Sequence, residues 1–187
     1  NSPTLSIVDL SGNSCVGYGN FSGIISEIIV DNKGFDYTTT PSVTISGGNG
    51  TGAKCEAKMR GFTYRKTCTD FDVDLATDAF DGEHRFLNGE EVVYTTTGNP
   101  IGITTDGNVN NLGFTTNRLP SGASYFILKR TDSSFSLTIK KEDAIAGINA
   151  ISFIQNGNGT HIFKSKKKRK IIDRIEVINV GSLYSNR

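Results

Sequence analysis

The sequence predicts an all-β fold made of short β-hairpin repeat units, with an inserted small β-barrel or β-roll module that carries one short helix. Three observations predict it. The 187 residues include 21 glycines and many Thr, Ser and Asn, and long stretches of strong helix formers are missing. Short runs of alternating apolar residues are separated by glycine-rich turns. One strand-and-turn segment occurs twice, which is typical of a repeat protein.

The repeated segment is residues 25–37, which return as residues 172–184 with an offset of 147. Identical residues recur at six positions: Ile25/Ile172, Ile28/Ile175, Val30/Val177, Asn32/Asn179, Gly34/Gly181 and Tyr37/Tyr184. An apolar strand that runs into an Asn-x-Gly turn is therefore used more than once. We expect both copies to share one backbone conformation, with Ile28 and Ile175 in equivalent core positions. Gly34 and Gly181 are predicted as structural turn residues with positive φ.

The first copy continues as a β-hairpin, with an alternating strand near residues 41–46, a glycine-rich turn and a second strand that ends at Met59. The first residues of the chain have the same pattern as this hairpin. Pro3, Leu5 and Ile7 have the spacing of Pro41, Val43 and Ile45, and a turn is predicted at 11–13. Residues 1–61 are thus predicted as a tail-half and one whole β-repeat unit, and residues 166–187 as a basic seam and the start of the next unit.

The two incomplete ends are expected to be covered. Either Leu5 and Ile7 pack beside Ile175 and Val177, or another chain covers them, because an uncovered apolar edge invites association. The chain begins with Asn1 rather than Met, and the second copy stops soon after Tyr184. Both features favour a piece of a longer protein.

Residues 62–165 differ in composition and are predicted as a module inserted into the repeat array. Phe71, Val73 and Leu75 alternate with aspartates, which favours a half-exposed strand. Lys141 begins a helix of barely two turns that Gly147 closes. The remaining elements are expected as a turn and a strand within 84–98, two strands at 124–130 and 134–139 around a turn, and a final hairpin of 150–154 with 160–164.

Residues 30–53 carry the motif Val-x-Asn-x-Gly-x-x-Tyr, then Pro-x-Val-x-Ile and Gly-x-Gly-x-Gly-Ala. This motif resembles a tandem β repeat of tail and other virion structural proteins of large tailed bacteriophages, cyanophage-like marine myoviruses in particular. The repeat is also found in bacterial surface proteins. Residues 84–94 (His-x-Phe-x-x-Gly-Glu-x-Val-x-Tyr) and 157–161 (Gly-x-Gly-Thr-His) are similar to a module that accompanies those repeats.

The resemblance implies a structural segment of a phage tail appendage, in a fibre or a baseplate. It implies a virion location with assembly in the host cytoplasm, and other virion subunits or copies of the chain as partners. It brings no catalytic residue and no cofactor.

Two other functions stay open at this point. A host-surface glycan-binding or bacterial adhesin module would use loops of the inserted domain, and the loop at 95–124 offers mainly Phe114. A polysaccharide-cleaving enzyme needs two carboxylates at a defined separation, and the sequence does not place Glu90, Glu91 and Asp106 relative to one another. No nucleophile-base signature is present, so we do not expect an enzyme.

The formal net charge is only +1, so nucleic acid and membrane are not expected to be recruited by the overall field. Six of seven consecutive residues are nevertheless basic: Lys164, Lys166, Lys167, Lys168, Arg169 and Lys170. Such a run can bind a polyanion. It can also be a solvated seam, in which lysines protect an exposed edge strand or meet an acidic patch of a neighbouring subunit. We favour the seam. No apolar run is long enough to cross a bilayer.

A metal site is not expected either. Asp70, Asp72 and Asp74 are spaced like hard oxygen ligands, but an EF-hand-like loop needs Gly at Leu75 and Glu at Asp81.

The histidines and cysteines favour structural roles. His84 and His161 lie beside glycine turns and are predicted to pack against each other or to cap a turn. Cys15, Cys55 and Cys68 lack paired C-x-x-C spacing and are predicted as buried free thiols.

Overall fold

A computed structural model describes residues 4–8, 16–21, 23–104 and 117–183. In these ranges the chain forms thirteen β-strands, one 3-10 turn and one six-residue α-helix, which confirms the all-β class. None of the helical segments in the described ranges has the length and apolar character to cross a membrane. Several residues used in the sequence argument lie outside the described ranges: Pro3, the turn at 11–13, Cys15, Asp106, Phe114 and Tyr184.

The strands have the following bounds: β1 Thr4–Val8, β2 Val16–Phe21, β3 Ile25–Asn32, β4 Ser42–Ser46, β5 Thr51–Thr69, β6 Val73–Asp74, β7 Ala79–Asp81, β8 Glu91–Thr96, β9 Gly102–Ile103, β10 Ser124–Lys129, β11 Ser134–Thr138, β12 Phe153–Gln155 and β13 Thr160–Ser182. The 3-10 turn is Asp70–Asp72, and helix α1 is Lys141–Ala146. The chain divides into two compact units, residues 1–62 with 169–187 (unit 1) and residues 63–168 (unit 2). The two longest strands, β5 and β13, contribute residues to both units.

Unit 1 is built from antiparallel strand pairs. β1 pairs with β4, so that Leu5 lies opposite Ile45 and Ile7 opposite Val43, and β2 pairs with β3. β5 and β13 are also hydrogen-bonded neighbours. Among the described residues of unit 1, seven form the buried core: Ile25, Ile28, Tyr37, Cys55, Ala57, Ile172 and Ile175. The strand at 4–8, which the sequence left without a partner, is therefore paired inside the chain, and Leu5, Ile7 and Val177 pack against this core.

The two copies of the repeat share their turn geometry. The amide of Gly34 donates to Asn32 Oδ1 at 2.9 Å, and the amide of Gly181 donates to Asn179 Oδ1 at 3.0 Å. The backbone then has φ of 57° at Gly34 and 66° at Gly181. Two residues later φ is positive again, 63° at Asp36 and 64° at the equivalent Leu183. The side-chain bond from Asn is an Asx turn, which holds the chain so that the following glycine adopts the left-handed conformation. The equivalence expected from the sequence is confirmed at these residues, and Ile28 and Ile175 both lie in the core of unit 1.

Unit 2 is organised around an antiparallel sheet with the order β5-β13-β8-β10-β11-β7-β6. Among the described strands this sheet is open, because β5 and β6 at its two ends do not pair, so the barrel expected as one form of the inserted module is wrong. β10 and β11 form the hairpin expected around residues 131–133, with Phe126 opposite Thr138. A small second pair joins β9 to β12. The hairpin predicted from 150–154 and 160–164 is wrong, because β12 pairs with β9 while the start of β13 pairs with β8. The prediction paired these two apolar runs because they are close along the chain. Each run instead pairs with a strand that is distant along the chain.

The core of unit 2 is a network of aromatic rings. Phe80 contacts Phe163 with a centroid distance of 4.5 Å, and Phe135 and Phe153 at 5.2 Å each. The pairs with Phe153 and Phe163 are edge-to-face and the pair with Phe135 is stacked, and ring pairs of both kinds stabilise a core beyond the area they bury. Tyr94 and Phe86 join the same fully buried cluster.

The short helix matches its prediction. Helix α1 spans Lys141–Ala146 and ends at Gly147, whose φ of 74° is left-handed. The amide of Gly147 donates to the carbonyl of Ala144, and the amide of Ile148 to that of Asp143. Ala144 is buried, so the helix is docked on unit 2, which so short a helix requires.

The half-exposed strand predicted around Phe71, Val73 and Leu75 is mostly wrong. Residues 70–72 form a 3-10 turn, and only Val73–Asp74 are extended. The carboxylate of Asp72 accepts hydrogen bonds from the amide and the hydroxyl of Thr69, at 2.7 and 3.0 Å. This side-chain cap bends the backbone where the apolar alternation favoured a strand. Phe71 is consequently 93% exposed.

Candidate functional site: the basic run and the lysine-rimmed pocket

The basic run lies on β13, between β5 and β8 in the sheet order. The pairing of β13 with β8 covers His161–Ser165, so the prediction of an exposed edge strand is wrong at Lys164 and stays a prediction for residues 166–170. Successive residues of a strand point to opposite faces, and the pattern of exposure follows this rule over part of the run. The side chains of Lys164, Lys166, Lys168 and Lys170 are exposed, whereas Ser165 and Arg169 are buried. Lys167 breaks the alternation and is exposed as well.

Arg169 was grouped with the lysines as a contact for a polyanion or a subunit, and the structure corrects this. Its side chain has 0% exposure, and its Nη1 lies 3.2 Å from Asp36 Oδ2. Its guanidinium also lies 6.0 Å from the ring centre of Phe35. A buried charge is tolerated when it is paired, so Arg169 is a structural residue of unit 1. The sequence places Asp36 just after the Gly34 turn, but no pattern along the chain relates Asp36 to Arg169. The ion pair could therefore not be predicted from the sequence.

Within unit 2, two residues of the run line a pocket of about 480 Å³, here called the lysine-rimmed pocket. It is lined by Leu87, Asn88, Gly89, Glu90, Glu91, Phe126, Lys141, Lys166 and Lys167. The turn at 87–89, the strand β8, the strand β13 and helix α1 bring these side chains together. The pocket thus brings two lysines of the basic run together with Glu90 and Glu91, which the sequence analysis treated separately from that run.

Glu90 forms the floor of the lysine-rimmed pocket. It is buried, and its carboxylate accepts hydrogen bonds from the Ser165 hydroxyl and, at 2.8 Å, from the Leu87 amide. A carboxylate needs such donors when it is removed from water. Glu90 thus fixes the turn at 87–89 to β13, a role that the sequence did not suggest.

Glu91 lies at the rim and pairs with Lys166, with Nζ and Oε1 2.5 Å apart. Both side chains are partly exposed, so the pair contributes at most about 1 kcal/mol. Lys141 and Lys167 also line the pocket, so its lining contains three lysines and two glutamates. The lining thus carries one net positive charge, which favours an anionic group.

The histidines lie in different environments of unit 2. His84 Nδ1 accepts from the Phe86 amide at 3.2 Å, and its Nε2 lies 3.2 Å from the Ser134 carbonyl. It therefore caps the turn at 84–86, which is one of the two roles predicted. His161 Nδ1 lies 2.8 Å from the Tyr94 hydroxyl. Burial lowers the pKa of both imidazoles, since it disfavours the charged form.

The described cysteines are buried and unpaired, as predicted. Burial raises the pKa of the Cys55 thiol, and it raises the pKa of Cys68 to about 12. Both side chains are thiols at neutral pH, and a thiol is a poor nucleophile compared with the thiolate.

The aspartates considered for calcium serve the local backbone. Asp72 caps the 3-10 turn as described above, and Asp74 accepts from the Ala76 amide at 2.8 Å and the Thr77 hydroxyl at 2.6 Å. The described ranges contain no group of three or more His, Cys, Asp or Glu residues arranged to hold a metal ion.

Comparison of the chain with models of known protein families, with curated proteins and with solved structures found no match.

Proposed function

We propose that this chain is a structural segment of a phage virion tail appendage, a fibre or baseplate component built from repeated β units. The observation that carries the proposal is the repeated turn: two segments 147 residues apart share the Asx bond and both positive-φ residues. Repetition of one strand-and-turn unit is the usual way to build an extended particle. The motif of residues 30–53, which resembles virion structural proteins, supports a phage tail as that particle.

The partners in this proposal are other virion subunits or copies of the chain, and the location is the virion tail after assembly in the host cytoplasm. The lysine-rimmed pocket fits the same role. Its ammonium groups and its apolar lining by Leu87 and Phe126 suit an acidic segment of a neighbouring subunit.

Particle composition tests the proposal. Virions of the phage that encodes the chain are purified through two density gradients and analysed by mass spectrometry, and the particles are labelled with gold-conjugated antibody. We expect peptides from both units in the particles and gold on the tail. Peptides found only in the unassembled fraction of the lysate would contradict the proposal.

Glycan binding is the second candidate, and Phe71 favours it. An aromatic ring with 93% exposure is suited to stack on the apolar face of a sugar. If unit 2 binds host glycan in this way, the chain should bind an array of bacterial surface polysaccharides, and Phe71→Ala should remove binding. Exposed Ile154→Ala is the matched control. Equal binding by the chain and the Phe71→Ala variant would end this candidate.

A further inference from the structure

Four asparagines of the chain are each followed directly by glycine: Asn49, Asn88, Asn156 and Asn158. An Asn-Gly pair can lose ammonia without an enzyme, because glycine has no Cβ to keep its amide nitrogen away from the preceding side chain. The reaction requires the asparagine side chain to rotate until its Cγ faces that nitrogen. A hydrogen bond that holds the side chain elsewhere in the fold therefore slows the reaction.

The pair at residues 88–89 is fixed at both reacting groups. Asn88 Oδ1 accepts a hydrogen bond from the Lys129 amide at 2.9 Å. The Gly89 amide donates to the Ile127 carbonyl at 2.8 Å. Asn88 is exposed to solvent, yet attack by the Gly89 nitrogen has to break both hydrogen bonds first. Exposure alone consequently does not make an Asn-Gly pair reactive in this fold.

The other two pairs of unit 2 are held by backbone groups of distant segments. Asn156 Nδ2 donates to the Asp70 carbonyl at 3.1 Å. Asn158 Oδ1 accepts from the Asn99 amide at 2.6 Å, and the Asn158 amide donates back to the Asn99 carbonyl at 3.1 Å. A Cβ added to Gly157 would lie 2.6 Å from the Asn99 carbonyl oxygen, so the backbone is closely packed there. Both asparagine side chains are thus fixed.

The pair in unit 1 lacks this restraint. Asn49 lies in the glycine-rich turn between β4 and β5. Its side chain is exposed, and it makes no hydrogen bond to any residue within the described ranges. Asn49 is therefore the one asparagine of the four whose side chain can rotate toward the next nitrogen without first breaking a hydrogen bond to the part of the chain that the structure describes.

We propose that Asn49 is a site of spontaneous deamidation and that it converts well before the other three asparagines. The Gly50 nitrogen loses its proton to hydroxide and forms a bond to Asn49 Cγ. The bond between Cγ and Nδ2 breaks, and Nδ2 takes up a proton from water and leaves as ammonia. The product is a five-membered succinimide. Water then opens the ring at either carbonyl, so that one asparagine and one water give one aspartate or isoaspartate and one ammonia.

The modification changes the charge and the length of the turn. Aspartate or isoaspartate at position 49 adds one negative charge, which removes the formal net charge of +1. Isoaspartate also adds one methylene group to the main chain between β4 and β5. The protein therefore becomes more acidic with age at one defined position of unit 1.

Peptide mapping of the purified chain during incubation in mildly alkaline buffer tests the proposal. Trypsin cleaves after Lys33 and Lys54, and the peptide between these sites contains Asn49 as its only asparagine. A mass increase of this peptide over the sample taken at the start thus reports Asn49 alone, and tandem mass spectrometry locates the increases at the other pairs. We expect Asn49 to convert about tenfold faster or more than each of the other three, because each of them first breaks at least one hydrogen bond.

The same incubation in denaturant is the matched control. Unfolding removes the protecting hydrogen bonds, so all four pairs should then convert at similar rates. Asn49→Gln should remove the main acidic species that isoelectric focusing resolves in the incubated folded chain, and thermal unfolding of this variant shows that the fold is retained. Conversion of any other pair as fast as Asn49 in the folded chain would overturn the proposal. So would an unchanged Asn49 in the folded chain under conditions in which the denatured chain converts. Neither result bears on the proposed function, which the composition of the virion tests.

Discussion

The two units hold their cores together in different ways. Unit 1 buries a few aliphatic side chains that recur along the sequence, such as Ile28 and Ile175, and one buried ion pair. Unit 2 buries a network of aromatic rings that occur once each, together with both histidines of the chain. The difference is that two pairs of repeat positions, Ile25/Ile172 and Ile28/Ile175, supply four of the seven described core residues of unit 1, whereas the core rings of unit 2 belong to no repeat. Four substitutions or conditions test this contrast.

The largest effect is expected for Phe80→Ala in unit 2. Phe80 is fully buried and contacts three other rings, so the cavity should lower the free energy of unfolding by about 3–5 kcal/mol. Denaturant unfolding measures the change, and Phe71→Ala, which removes a ring with 93% exposure, should leave the midpoint unchanged. A loss of less than about 1 kcal/mol in Phe80→Ala would contradict the ring-network account.

Arg169→Met should have the next largest effect, on unit 1. It leaves the largely buried Asp36 carboxylate without its ion pair, which we expect to cost about 3 kcal/mol. The exposed neighbour Lys168→Met is the control and should be close to neutral. The double variant Arg169→Met/Asp36→Leu should recover most of the loss, because it leaves no unpaired charge and gives the first turn the residue of the second. No recovery would show that the two side chains act separately.

Gly34→Val and Gly181→Val should each destabilise unit 1 by about 1–3 kcal/mol, because a β-branched residue is strained at φ near 60°. Gly61→Val is the control: Gly61 is not among the positive-φ residues, and its added Cβ would lie 3.9 Å from the Arg169 carbonyl. Thermal unfolding of the three variants gives the comparison. Equal midpoints for Gly34→Val and Gly61→Val would contradict the positive-φ requirement.

The smallest effect is a pH dependence confined to unit 2. His84 and His161 have pKa values lowered by burial, so the unfolded state binds protons more readily than the folded state. Their stabilising contribution is complete above the unfolded pKa of about 6.5 and is lost as pH falls through the lower folded values. Amide hydrogen exchange between pH 7 and 5 should show protection falling in unit 2, while unit 1, which contains no histidine, keeps its protection. In the double variant His84→Gln/His161→Gln, the protection of unit 2 should depend less on pH. An unchanged pH dependence would show that other titratable groups cause it.

The local features were predictable from the sequence. The Asn-x-Gly turns, helix α1 with Gly147 and the β10–β11 hairpin each depend on residues close together in the chain, and all three are confirmed. What the sequence missed depends on distant partners. The pairing of β12 with β9, the Arg169–Asp36 ion pair and the burial of Glu90 against Ser165 each join residues fifty or more positions apart. The 3-10 turn at Asp70–Asp72 was missed for a different reason, because the cap from Asp72 to Thr69 overrides a strand-like alternation.

The repeated backbone is the central claim, and the φ angles at its two turns test it most directly. Scalar couplings and chemical shifts of the labelled protein give φ at Gly34, Asp36, Gly181 and Leu183. We expect all four to be positive, near the 57°, 63°, 66° and 64° of the structure. Positive φ at the first turn with negative φ at Gly181 or Leu183 would show that the sequence repeat does not fold as a structural repeat, and would contradict the account.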